Sequence, residues 1–173
     1  MKKALSLHPF LLAAFLGSDS LAAQDRWDEA ARRIRYLSPA ELLAAPPGVV
    51  RALEDRACRI PQEWSDSLPH NVIRGEFARR GQEDWAILCS RAGVSQILVF
   101  WNRGDGGVDS LAPHEDKSFL QTVESDRIGF SRRIGIADDT ARDHQGIDDA
   151  FVEKGSRIFY YTEGEWLELA GAD

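Results

Sequence analysis

The sequence predicts an α+β protein in which N-terminal helices pack on a mostly antiparallel β-sheet that runs as a meander. Three observations predict it. Between Trp27 and Cys58 the apolar residues recur at helical spacing. Beyond Asn71 the apolar runs become short, β-branched and aromatic, with turn formers between them. Helices gathered first and strands afterwards describe an α+β domain rather than an alternating one, and 173 residues suit a single core.

The chain opens with Met1-Lys2-Lys3, a mostly apolar run from Ala4 to Gly17, and small residues at Ser20, Ala22 and Ala23. That is the pattern of a secretory signal peptide over residues 1–23, leaving one domain over 24–173 with a helical part at 24–62 and a β part at 71–173. The expected location is the periplasm or the exterior. No later run approaches the about 20 apolar residues of a membrane helix, so no membrane partner is expected after cleavage. Loss of Lys2, Lys3 and Asp19 would leave the chain one unit more acidic than the −7 of the full sequence. A nucleic-acid partner is not expected, because phosphate binding needs a clustered basic face. Arg32-Arg33-Ile34-Arg35 reads as a solvated helix face and Arg132-Arg133 as a solvated strand edge.

In the helical part, Trp27, Ala30, Ala31, Ile34 and Leu37 form the apolar stripe of a first helix. Ser38-Pro39-Ala40-Glu41 then carries the cap, the first-turn proline and the returning carboxylate of a second. Pro46-Pro47 ends it, and a third runs from Gly48 to about Cys58 with Val49, Val50, Leu53 and Ala57 inward.

In the β part, strands are expected over Val72 to Ala78, Asp84 to Ser90 and Val94 to Trp101. Trp85, Ile87 and Cys89 share one face of the second and Ala86 and Leu88 the other, so it should be covered on both sides, as should Ile97 to Trp101. Phe119 to Val123 and Ile128 to Ile136 read as further strands. Ala150 to Glu153, Arg157 to Thr162 and Trp166 to Ala170 complete a meander, turning at Lys154-Gly155 and Glu163-Gly164-Glu165.

Cys58 and Cys89 are the two cysteines. In an exported chain they are expected to be bonded, with two buried free thiols as the alternative. The bond would tie the end of the third helix to the second strand and contribute roughly 3 to 4 kcal/mol. No Cys-x-x-Cys or paired histidines supply a zinc site.

Gly75-Glu76-Phe77 followed by Gly81-Gln82-Glu83-Asp84-Trp85-Ala86-Ile87-Leu88 resembles the Gly-Asp-Phe-x-x-Asp-Gly-x-x-Asp-hydrophobic pattern of FG-GAP and VCBS-type repeats. With Gly146-Ile147, Glu153-Lys154-Gly155-Ser156 and Tyr160 to Trp166, the chain is similar to a group of exported bacterial proteins of unknown function. In the calcium-binding version of that loop, oxygen ligands alternate along the turn. Here Ala78 and Arg80 occupy ligand positions, so the resemblance implies a hairpin in which Asp84 accepts backbone N–H groups. Asn102, Asp105 and Asp109 match no calcium-loop spacing either, and neither a metal nor another cofactor is expected.

For catalysis, His144 with Asp143, Asp148 or Asp149 is the best acid-base candidate, in the polar segment from Asp138 to Asp149. No Gly-x-Ser-x-Gly elbow or His-Glu-x-x-His occurs. His70 and His114, close to prolines, read as loop histidines. Two functions therefore stand side by side. The first is a non-enzymatic envelope or secreted binding module, inhibitor-like in one form, that binds an envelope protein or a glycan through aromatics such as Trp101, Tyr161 and Trp166. The second is a small hydrolase built on His144; convergence of His144 with two carboxylates in one pocket would decide between them.

Overall fold

Strand pairing begins before the region where the sequence pattern predicts it. The computed structural model describes residues 18–65, 69–138 and 141–171, so the predicted leader lies outside the described residues up to residue 17. The first helix, α1 (Ser18–Arg32), ends earlier than its apolar stripe suggests. Tyr36–Leu37 (β1) leaves the helical path to pair antiparallel with Ile60–Pro61 (β2). In place of a second helix, Pro39–Glu41 makes one 3-10 turn. The cap chemistry is present all the same, with the Ser38 N–H donating to Glu41 Oε2 at 2.7 Å. The third helix is α2 (Pro47–Asp55), opened by proline and burying Val49 and Leu53.

The bulk of the protein is antiparallel sheet. β3 (Val72–Gly75), β4 (Asp84–Arg91), β5 (Val94–Phe100) and β6 (Val108–Glu115) form one four-stranded meander in chain order. β7 (Leu120–Thr122) and β8 (Ile128–Phe130) form a hairpin. β9 (Arg132–Ala137), β10 (Gly146–Phe151), β11 (Gly155–Thr162) and β12 (Glu165–Ala170) form a second four-stranded meander.

The α+β expectation is therefore corrected to a mostly antiparallel β fold. Prolines 39, 46 and 47 divide the helical segment into pieces too short to build a helical layer. The sequence pattern also concealed β6. β6 is an edge strand, where a proline such as Pro113 is tolerated. Ala112 and Pro113 face the single residue Gln96 in a bulge, with Ala112 at φ 49°.

The inner face of the first sheet (Ala86, Leu88, Ile97, Val99) shares one core with Ile134, Ile147 and Phe159 of the second, closed by Phe77, Phe119, Leu120 and Phe130. On the outer face, Trp85, Ile87, Cys89, Leu98 and Phe100 meet Leu42, Val49, Leu53 and Ile60. β4 is thus buried on both faces, as its unbroken apolar run requires. Cys58 and Cys89 are bonded, with Cα atoms 5.1 Å apart. Beside the bond, Arg59 and Ser90 exchange backbone hydrogen bonds.

Buried side chains help to join the sheets, Asn71 and Arg132 among them. Asn71 is buried at φ 66°. Its amide donates to the carbonyls of Pro61 (2.6 Å) and Arg132 (3.1 Å) and accepts from the N–H of Ile134 (2.8 Å), standing in for a strand's peptide group between β3 and β9. Arg132 contradicts its reading as a solvated edge: it is 0% exposed, whereas Arg133 is exposed.

Candidate functional site

Alternation along β9 turns Arg132 inward with Ile134, and the charge is met in full. Nε and Nη2 donate to the two oxygens of Asp149 at 2.8 and 3.0 Å. Nη1 donates to the carbonyl and hydroxyl of Ser95 at 3.1 and 3.0 Å, and Nη2 to the carbonyl of Ala112 at 2.8 Å, so the guanidinium fills the β5–β6 bulge. Those contacts engage all five guanidinium donors. Arg157 also donates to Asp149, at 3.3 Å, and touches His114 Nε2. A guanidinium only donates, so Nε2 is the unprotonated ring nitrogen. Burial, then the charges of Arg132 and Arg157, hold the His114 pKa below its ordinary value. His114 is therefore a strand residue in a buried charge cluster rather than a loop histidine.

This cluster removes Asp149 from His144. Asp149 opposes Arg157 across the β10–β11 ladder and shares the inner face with it. His144 stacks on Tyr160, with ring centroids 4.3 Å apart and planes within 4°. Tyr160 alternates to the opposite face of the sheet. The His144 Nδ1 contacts the carbonyl of Gln145 at 3.0 Å, and the Asp143 carbonyl accepts from Arg80 at 3.2 Å. Among the described residues no carboxylate touches His144. The segment instead docks on the loop after β3, where Gln145 exchanges hydrogen bonds with the Glu76 backbone. Asp139 and Thr140 of the same segment lie outside the described residues.

The Gly75–Asp84 loop is a hydrogen-bonded turn centred on Asp84, which is 0% exposed. Its carboxylate accepts from the N–H groups of Phe77 and Ala78 at 3.0 Å and of Asn102 at 2.8 Å, and from the Gln82 amide at 2.8 Å. Among the described residues no three His, Cys, Asp or Glu side chains are grouped to hold a metal ion.

The aromatic candidates do meet. Trp101, just after β5, lies 4.9 Å from Tyr161 and 5.5 Å from Trp166 between ring centroids; Trp101 and Trp166 are stacked at 22°. Tyr161 and Trp166 are paired across β11–β12 and touch edge to face at 5.2 Å. The Trp166 Nε1–H donates to Asp109 Oδ2 at 3.0 Å, fixing its ring. Gly106 lies against Trp101, where a Cβ would come within 2.8 Å of the Trp101 Cβ. At these separations nothing fits between the rings, so a ligand can meet only their half-exposed outer surface. Asn102, Asp105, Glu163 and Glu165 are exposed in the turns beside it. No protein family, curated protein or solved structure matches the chain.

Sequence reasoning missed two other places. One is the Tyr36–Ser90–Asp116 cluster: the Tyr36 hydroxyl donates to Asp116 Oδ2 at 3.0 Å, the Ser90 hydroxyl contacts the same oxygen, and burial and the Asp116 charge push the Tyr36 pKa up to about 12. The other is a cleft of about 480 Å³ lined by α1, Gln62 to Trp64 and Asp126 to Phe130. Arg26, Arg33, Arg35 and Arg127 stand in it, from segments about 90 residues apart that no local motif connects.

Proposed function

We propose that the chain is an exported, non-enzymatic binding module that holds a glycan of the cell envelope against Trp101, Tyr161 and Trp166. The observation that carries the reading is the convergence of these three rings, from β5 and the β11–β12 hairpin, into one stacked, half-exposed surface. The C–H faces of a pyranose ring complement aromatic faces, and the neighbouring Asn102, Asp105 and Glu163 offer amide and carboxylate partners for hydroxyls. Export is supported by the leader pattern of residues 1–23 and by the disulfide. Among the described residues no helix is long and apolar enough to cross a membrane.

A glycan array followed by titration calorimetry tests the reading. Binding of at least one pyranose oligomer is expected, with affinity lowered about tenfold or more by Trp166→Ala and largely kept by Trp166→Phe, in the range of one stacking contact. Absence of glycan binding, or equal binding by Trp166→Ala, would overturn it. Export is tested by intact mass of the envelope fraction, where a start at Ala23 or Gln24 is expected and retention of Met1 refutes the cleavage.

A further inference from the structure

The cleft beside α1 shares no residue with the aromatic surface. Its floor is apolar: Ala30 from α1 and Ile34 just after it, Ile128 and Phe130 from β8. Trp64 forms a wall. It lies over Gly129, where a Cβ would come within 2.7 Å of the Trp64 Cβ, and its backbone N–H donates to the Phe130 carbonyl at 2.9 Å. Its indole Nε1–H is buried with no acceptor among the described residues.

At the mouth, the acids and bases are unequally occupied. Glu29 is paired with Arg32 and Arg33 at 2.9 and 2.8 Å. The Glu63 side chain is 0% exposed and its oxygens accept the Ser65 N–H at 3.1 Å and the Ser65 hydroxyl at 2.5 Å, with His70 Nε2 at 3.9 Å. Arg26 reaches only the backbone carbonyl of Asp126, at 3.2 Å. Arg127 lies 5.7 Å over the Trp64 ring. Both arginines are exposed and neither has a carboxylate partner among the described residues, although the Asp126 carboxylate shares the rim and the whole chain carries −7. The uncommitted groups of the cleft are therefore chiefly donors.

We propose that this cleft binds a small organic anion, its carboxylate or phosphate held by Arg26 and Arg127 and its apolar body laid on Ile34, Ile128, Phe130 and the Trp64 ring. A guanidinium fork suits either anion in a two-point contact. The volume of about 480 Å³ is that of a small-molecule site. The apolar floor distinguishes the ligand from a bare inorganic ion.

The test is a fluorescence titration of the full chain, disulfide intact, with 8-anilinonaphthalene-1-sulfonate, an aromatic anion, beside N-phenyl-1-naphthylamine, which lacks the sulfonate. One-to-one binding of the anion is expected, with the neutral probe about tenfold weaker or more, in the range of one charge-assisted hydrogen bond. Arg26→Gln and Arg127→Gln should each weaken the anion about tenfold while leaving the circular dichroism spectrum unchanged, as both side chains are exposed. Arg51→Gln, on α2, should change nothing. Hexanoate should displace the probe, and hexanol and inorganic phosphate should not. Equal affinity for the two probes, unaltered binding by both cleft variants, displacement by inorganic phosphate as strong as by hexanoate, or displacement by phosphatidylglycerol vesicles but not by hexanoate would each overturn the proposal.

Discussion

β4 and β12 belong to sheets of the same size and topology, yet seven of the eight residues of β4 are buried and none of the six in β12 is. The first sheet is covered on one face by the shared core and on the other by α2, Leu42, β2 and the disulfide. The second is covered on its inner face, while Leu167 on its outer face stays 42% exposed. The difference separates two tasks. The first sheet supplies buried area, and the second presents side chains while borrowing its anchorage from the first through Arg132, Asn71 and Gln145.

The sharpest way to break that division is at the anchor. Arg132→Ala should cost about 3 to 5 kcal/mol in urea unfolding, because it leaves the buried Asp149 carboxylate with only the longer contact to Arg157. Arg132→Met combined with Asp149→Leu should recover much of the loss, and equal loss in both would deny the anchor its electrostatic basis. Replacing Cys58 and Cys89 with serine acts on the first sheet alone and should lower stability by roughly 3 kcal/mol. The aromatic surface of Trp101, Tyr161 and Trp166 should survive it.

A smaller effect sharpens the junction. The His114 pKa is depressed in the folded protein, so its unfolded chain binds a proton first as pH falls. The stabilisation is present above about 6.5, the ordinary value, and is lost as pH falls through the lower folded value. Urea midpoints measured across pH 4 to 8, taken as roughly the window around that titration, should show this component, and His114→Gln should remove it. Smallest of all, Leu167→Ala on the open face should stay within about 0.5 kcal/mol of the parent protein.

How much of this was legible depended on whether the signal was local. The two-sided burial of β4 followed from Trp85 to Ser90 read by alternation, and the turn role of Asp84 from its place between two strands. The extent of helix was misread because a stripe from Trp27 to Leu37 fits helical spacing, but Tyr36 and Leu37 gain more by pairing with β2. Arg132 held a usable signal, since an arginine sharing the inward alternation of Ile134 must be either mispredicted or paired. The cleft held none: Arg26 and Arg127 meet through tertiary structure alone.

The bulge in β6 has a consequence for the order in which the chain is made. Ser95 and Ala112 emerge before Arg132, the residue whose guanidinium occupies their carbonyls in the finished fold. A nascent chain that has completed β3 to β6 therefore holds a meander of local hairpins, quick to zip, with the bulge still facing solvent. It waits for about 17 more residues after the end of β6 before its filling arrives. The four strands of the first meander are thus no separable module: a fragment ending before β9 would keep their order but lack the residue that closes them.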